Sequence, residues 1–75
     1  MVRLRRVSGQ QAIRSLERLG FAVARQRGSH VVMKKTTPAG EVGCPVPLHD
    51  ELAIGTLRAI LRQAKVRVDE FMAHL

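Results

Sequence analysis

"FAVARQRGSHVVMKK", residues 21–35, decides the fold. Two runs that suit extended backbone flank Gly28-Ser29, a dipeptide that serves as a two-residue hairpin turn. A turn there pairs Arg27 with His30 and Arg25 with Val32. Side chains alternate across a strand. Arg25, Arg27, His30, Val32 and Lys34 are therefore predicted to share one face, and Ala22, Ala24, Val31 and Met33 the other. The second face is apolar and suits burial under helices. The first is cationic and sets a titratable ring at the mouth of a strand. Such a face suits either ordinary surface chemistry or a site that holds a phosphate chain and moves protons on it.

Upstream, Ser8 and Gln11 form the S-x-x-Q pattern of a capping box. Ala12, Ile13, Leu16 and Leu19 follow at helical spacing, and Gly20 closes the run. The prediction is a helix over 9–19 whose other side, with Arg14, Glu17 and Arg18, reads as solvated charge. Downstream, "TTPAG" (36–40) is a loop, and "EVGCPVP" holds a third strand over 41–46. Pro45 and Pro47 cannot donate to a ladder, which points to an edge position or a strand end. "GTLRAILRQAK" (55–65) reads as a helix with Leu57, Ile60, Leu61 and Ala64 on one stripe. Arg58, Arg62 and Lys65 fill the rest, and Lys65 suits the negative end of the helix dipole. Asp69 is predicted to cap a last helical turn carrying Phe71 and Met72. The sum is a two-layer α+β domain: a three-stranded antiparallel sheet with two helices on one face, plus a short C-terminal helix. The other sheet face stays open.

Composition narrows the function. Seventy-five residues make a single domain, 1–75. A chain this short buries only about 60% of its unfolded surface, so an open face or groove is a better working part than a deep cavity. Thirteen Lys and Arg against six Asp and Glu give a formal charge of +7 and a pI near 11.4. That charge favours a polyanionic partner, nucleic acid first. No apolar run is long enough to span a bilayer, and the basic N-terminus lacks the apolar region of a signal peptide. A lone cysteine, Cys44, fits a reducing cytoplasm. Two Phe with no Tyr or Trp argue against base stacking and for recognition by charge, backbone contacts and shape. Cys44, His30 and His49 lack the paired spacing of a zinc site, so no metal or cofactor is expected. Cys44, in a strand, reads as a small buried thiol rather than a nucleophile.

Four stretches together resemble the HicA toxins, small bacterial mRNA interferases. They are "VSGQQAIRSLERLGF" (7–21), "RQRGSHVVM" (25–33), "VPLHDELAIGTLRAIL" (46–61) and "VDEFM" (68–72). They cover nearly the whole chain in the right order. The family pattern often has glycine where this chain has Asp50, which lies outside the histidine turn. The resemblance implies a fold like the double-stranded RNA-binding domain (α-β-β-β-α). It also implies cleavage of RNA that blocks translation, a cognate HicB-type antitoxin, and a catalytic histidine at His30.

Metal-independent RNA cleavage uses the ribose 2′-hydroxyl as internal nucleophile on the adjacent phosphorus. One group must accept the 2′ proton and another must protonate the leaving 5′-oxygen. Histidine suits either task, since its reference pKa of about 6.5 lies near working pH. Arg25, Arg27, Lys34 and Lys35 flank the turn and are the expected RNA phosphate contacts, with Gly28 and Ser29 adding backbone N–H groups. Arg3, Arg5 and Arg6 form a basic arm that reaches further along a strand. His49, beside Asp50, is a rival proton carrier, although a residue leading into a helix that bonds to the backbone suits it better. A non-catalytic module that binds double-stranded RNA explains the charge and element order equally well. A DNA-binding or ribosome-associated protein is the third possibility.

Overall fold

The computed structural model describes residues 3–75. Its elements follow in the order α1 (Gly9–Arg18), β1 (Ala22–Arg27), β2 (His30–Thr37), β3 (Gly40–Pro47), α2 (Ile54–Ala64) and α3 (Val68–Ala73). The three strands form one antiparallel sheet in the order β1-β2-β3. This is the expected α+β arrangement, with β3 at an edge as its prolines require.

Local chemistry sets each boundary. At the start of α1 the Ser8 hydroxyl accepts from Gln11 N–H at 3.0 Å, and the Gln11 carboxamide accepts from Ser8 N–H at 2.9 Å. The capping box thus satisfies two orphan donors. At its other end Gly20 takes φ +99°. Phe21 N donates to Leu16 O at 2.9 Å and Gly20 N to Glu17 O at 3.0 Å, the two bonds of a Schellman closure. Lys65 closes α2 in the same way, with Val66 N donating to Leu61 O at 3.0 Å. It holds a left-handed conformation (φ 57°, ψ 40°) without being glycine. The last helix starts two residues earlier than predicted. Arg67, not Asp69, is its N-cap, and Asp69 lies inside the first turn. Its carboxylate still serves the helix start by accepting from Glu70 N–H at 3.0 Å.

The core lies between the helices and the inner face of β2 and β3. Leu16, Met33, Val46, Leu52, Leu57 and Phe71 are its largest hydrophobic members, all fully buried. Phe71 is how the short α3 contributes, and Ser15 of α1 donates to Phe71 O at 2.7 Å within that interior. Burial of such side chains is worth roughly 1.5–3 kcal/mol each and is the main force on the fold.

The strand β1 departs from expectation. Its pairing with β2 begins as predicted, Arg27 opposite His30 and Arg25 opposite Val32, but the register shifts between Val23 and Arg25. The extra residue at Ala24 puts Val23 opposite Met33, and Ala22 opposite Lys34 on the outer face. Ala22 and Ala24 therefore do not join Val31 and Met33 in a buried layer. All of β1 is exposed, because the helices cover β2 and β3 only. The β1–β2 hairpin stands out from the helical layer as an arm.

Candidate functional site

The arm carries the candidate site on the sheet face away from the helices. Gly28 has φ +54° at the first central position of the turn, as a type II′ hairpin demands, and a Cβ there would meet nothing within 4 Å. The turn opens onto clear space. Both of its carbonyls are occupied: Gln26 Nε2 donates to Gly28 O at 3.0 Å, and Leu48 N donates to Ser29 O at 2.6 Å. Acceptors at the tip are thus covered from within the protein, which lowers the repulsion an approaching anion would feel.

His30 opens β2 immediately after the turn and is exposed. Its cross-strand partners are Arg27 on β1 and Pro47 on β3. Arg25, Val32 and Pro45 form the next rung, and Lys34 and Gly43 a further one. Directly paired side chains lie about 4.5–5.5 Å apart at Cβ. His30 is therefore flanked on its rung by Arg27 on one strand and Pro47 on the other. Arg25 and Arg27 are exposed, and among the described residues neither belongs to an ion pair. Lys34 lies across Gly43, where a Cβ would crowd its Cγ at 3.1 Å, and its ammonium meets Glu41 at 3.3 Å. Both partners are about half exposed (48% and 58%), so this pair is weak and open to exchange.

Lys35 does not join this group. It points to the inner face and donates to Leu19 O at 2.8 Å, over the Phe21 ring at 5.8 Å from its centroid. There it satisfies an orphan carbonyl at the negative end of α1, which is structural work. The basic arm is also divided. Arg6 pairs with Glu51 at 3.3 Å, while Arg5 turns toward α1. His49 is exposed, and its backbone carbonyl accepts from Gly9 N at 2.9 Å. His74 holds Nδ1 2.8 Å from Glu70 O, against the carbonyl end of α3.

Cys44 is 2% exposed on the inner face, and burial pushes its thiol up to about 11 from an ordinary 9.0. It is a protonated core residue on the opposite side of the sheet from His30. Among the described residues no three His, Cys, Asp or Glu side chains gather as metal ligands would. No helix among them is long and apolar enough to cross a membrane.

Sequence reasoning missed the proline wall. Both prolines were visible, but pairing Pro47 with His30 requires the register across the β2–β3 turn, and residues 36–40 allow several.

A family model described as "HicA toxin of bacterial toxin-antitoxin" matches residues 9–66. The matched span runs from the first residue of α1 to just past α2 and includes the whole hairpin. The search of curated proteins yields no match.

Proposed function

The chain belongs to the HicA toxin family of bacterial toxin–antitoxin systems, and from that premise we propose that it is an endoribonuclease that cleaves mRNA on the open sheet face. The observation that carries the reading is the exposed His30 ring seated beside Arg27, with Arg25 one rung away. A phosphodiester laid across these rungs meets two guanidiniums, with the backbone N–H groups of Gly28 and Ser29 in the adjoining turn to add hydrogen bonds. The ribose 2′-oxygen then attacks phosphorus. The O2′–P bond forms as the P–O5′ bond breaks, leaving a cyclic phosphate and a 5′-hydroxyl. His30 either takes the 2′ proton or delivers one to the 5′-oxygen, and water serves the other end. Arg25 and Arg27 stabilise the charge that builds on the phosphoryl oxygens. Lys34 joins them once RNA displaces Glu41.

Membership in a toxin–antitoxin family implies an antitoxin. A HicB-type protein with an acidic surface, lying over the His30 face, would neutralise the arginines and exclude RNA together.

The test is His30→Ala beside wild type, with growth and transcript integrity followed in cells and cleavage by purified protein in vitro. An exposed ring takes nothing from the core when removed, so fold and RNA affinity should hold. Cleavage should fall by ~10²–10⁴-fold, the usual contribution of a positioned proton carrier. Undiminished cleavage by the purified variant would leave the protein as a binder only.

A further inference from the structure

A second cationic site lies on the helical layer, away from His30. Arg5, Gln11, Arg14, Arg18 and Leu75 line a groove of about 220 Å³ along the solvent side of α1. Gln11, Arg14 and Arg18 fall on one stripe by their spacing of three and four residues. None of the four ion pairs among the described residues includes Arg5, Arg14 or Arg18. Three guanidiniums thus share one recess whose lining holds no Asp or Glu side chain.

The polar side chains of that lining are donors alone. Guanidinium nitrogens cannot accept. Gln11 has its oxygen committed, accepting from Ser8 N–H at 2.9 Å, so its NH₂ is the end left for the groove. Arg18 is held in place by donating to His74 O at 2.8 Å, which keeps its other N–H groups presented. Three guanidiniums and a carboxamide NH₂ with no acidic side chain among them suit an oxyanion, and the planar fork of Arg matches phosphate oxygens two at a time. The volume is about seven times a water's ~30 Å³ share of the liquid, room for a phosphate with its hydration.

The helix that bears the groove starts against the strand that borders His30. Gly9, at the start of α1, abuts Pro47, the cross-strand partner of His30. From Gln11 to Arg18 is about 10 Å along the helix axis at ~1.5 Å per residue. The domain is 18 Å across its shortest dimension. A strand that crosses His30, rounds the Pro47–Gly9 corner and enters the groove covers about 28 Å, several nucleotides of extended chain.

We propose that this groove binds RNA backbone phosphates several nucleotides away from the scissile bond, so that the protein engages long messages in preference to short fragments. This rests on RNA being the substrate of the His30 face. The experiment uses the His30→Ala protein, which leaves RNA whole, and measures binding of a 20-nucleotide and a 4-nucleotide single strand across a salt series. Adding Arg14→Ala and Arg18→Ala should weaken the 20-mer about tenfold at low salt. The slope of log affinity on log salt should shrink by about 1.4, two phosphates at ~0.7 each. The 4-mer should bind unchanged. Arg5→Ala with Arg14→Ala, which spares the Arg18–His74 bond, should act alike. Arg58→Ala with Arg62→Ala removes the same charge from α2, outside the groove, and should change 20-mer affinity less than twofold. Equal losses from the α1 and α2 pairs, or no loss from the α1 pairs, would overturn the groove assignment. So would unchanged RNA binding alongside weakened binding of an acidic antitoxin. Absence of RNA binding by the His30→Ala parent would instead overturn the RNA reading itself, and the groove's role with it.

Discussion

Gly9 gives the sharpest test of how the site is held. It is the first residue of α1, it is buried, and its N–H donates to His49 O at 2.9 Å. A Cβ at this position would sit 2.1 Å from Pro47 O and 3.0 Å from Leu48 Cα. Ordinary contact begins near 3.4 Å, so Gly9→Ala must push α1 and β3 apart by 3.4 − 2.1 = 1.3 Å. Both obstacles are backbone and cannot rotate away. Overpacking of this kind costs about 1–3 kcal/mol. A separation that large also breaks the bond to His49, about another 1 kcal/mol. Better helix propensity offsets at most about 1 kcal/mol, and less at a terminal position. The net loss is about 1–4 kcal/mol, which lowers the melting temperature of a domain this size by roughly 5–30 °C. Gly55→Ala is the matched control: it lies in α2, and its Cβ would meet nothing within 4 Å. That change should raise stability by about 0.5 kcal/mol. Thermal and urea unfolding followed by circular dichroism measures both. Pro47 is the partner of His30, so Gly9→Ala should also slow RNA cleavage at temperatures where the variant is still folded. A Gly9→Ala protein that melts within a few degrees of wild type would refute the close seating of α1 on β3.

Two further outcomes follow from the interior and the helix ends. Lys65→Gly relieves a left-handed residue with a Cβ at the end of α2 and should stabilise the protein by about 0.5–1 kcal/mol, seen as a higher urea midpoint. Cys44 makes stability depend on alkaline pH. Its thiol keeps its proton in the folded state up to about 11, whereas the unfolded chain loses it near 9.0. Stability from this group is therefore complete below pH 9 and is lost as pH rises toward 11 and beyond, by an amount of the order of 3 kcal/mol. Urea midpoints at pH 8 and pH 10.5 should fall more steeply for wild type than for Cys44→Val, and parallel slopes would rule the effect out.

Local chemistry accounts for what the sequence alone makes legible. The Ser8–Gln11 box, the Gly20 closure and the Gly28-Ser29 turn each depend on residues a few positions apart, and each forms as its spacing demands. The hairpin register, and with it the face shared by Arg25, Arg27 and His30, follows from the length of a two-residue turn. Failures begin where distant segments decide. Alternation alone cannot reveal the shift between Val23 and Arg25, because an apolar "FAVA" run has no polar marker to betray one extra residue. Nor can it reveal that the helices stop short of β1.

The cations show the same divide most clearly. In sequence, Lys34 and Lys35 are equivalent neighbours, as are Arg14 and Arg18 on a solvated helix face. In the fold, one residue of difference sends Lys34 to the outer face and Lys35 to the carbonyl end of α1, 16 positions earlier in the chain. Arg18 is gathered into a groove by a carbonyl 56 positions away at His74. Charge sets the class of partner, because a net of +7 on 75 residues favours polyanions wherever the charges lie. Which charges meet that partner is a matter of tertiary distance. The same residue types therefore split into an exposed pair beside His30, an arginine-lined recess on α1, and a lysine consumed in closing a helix.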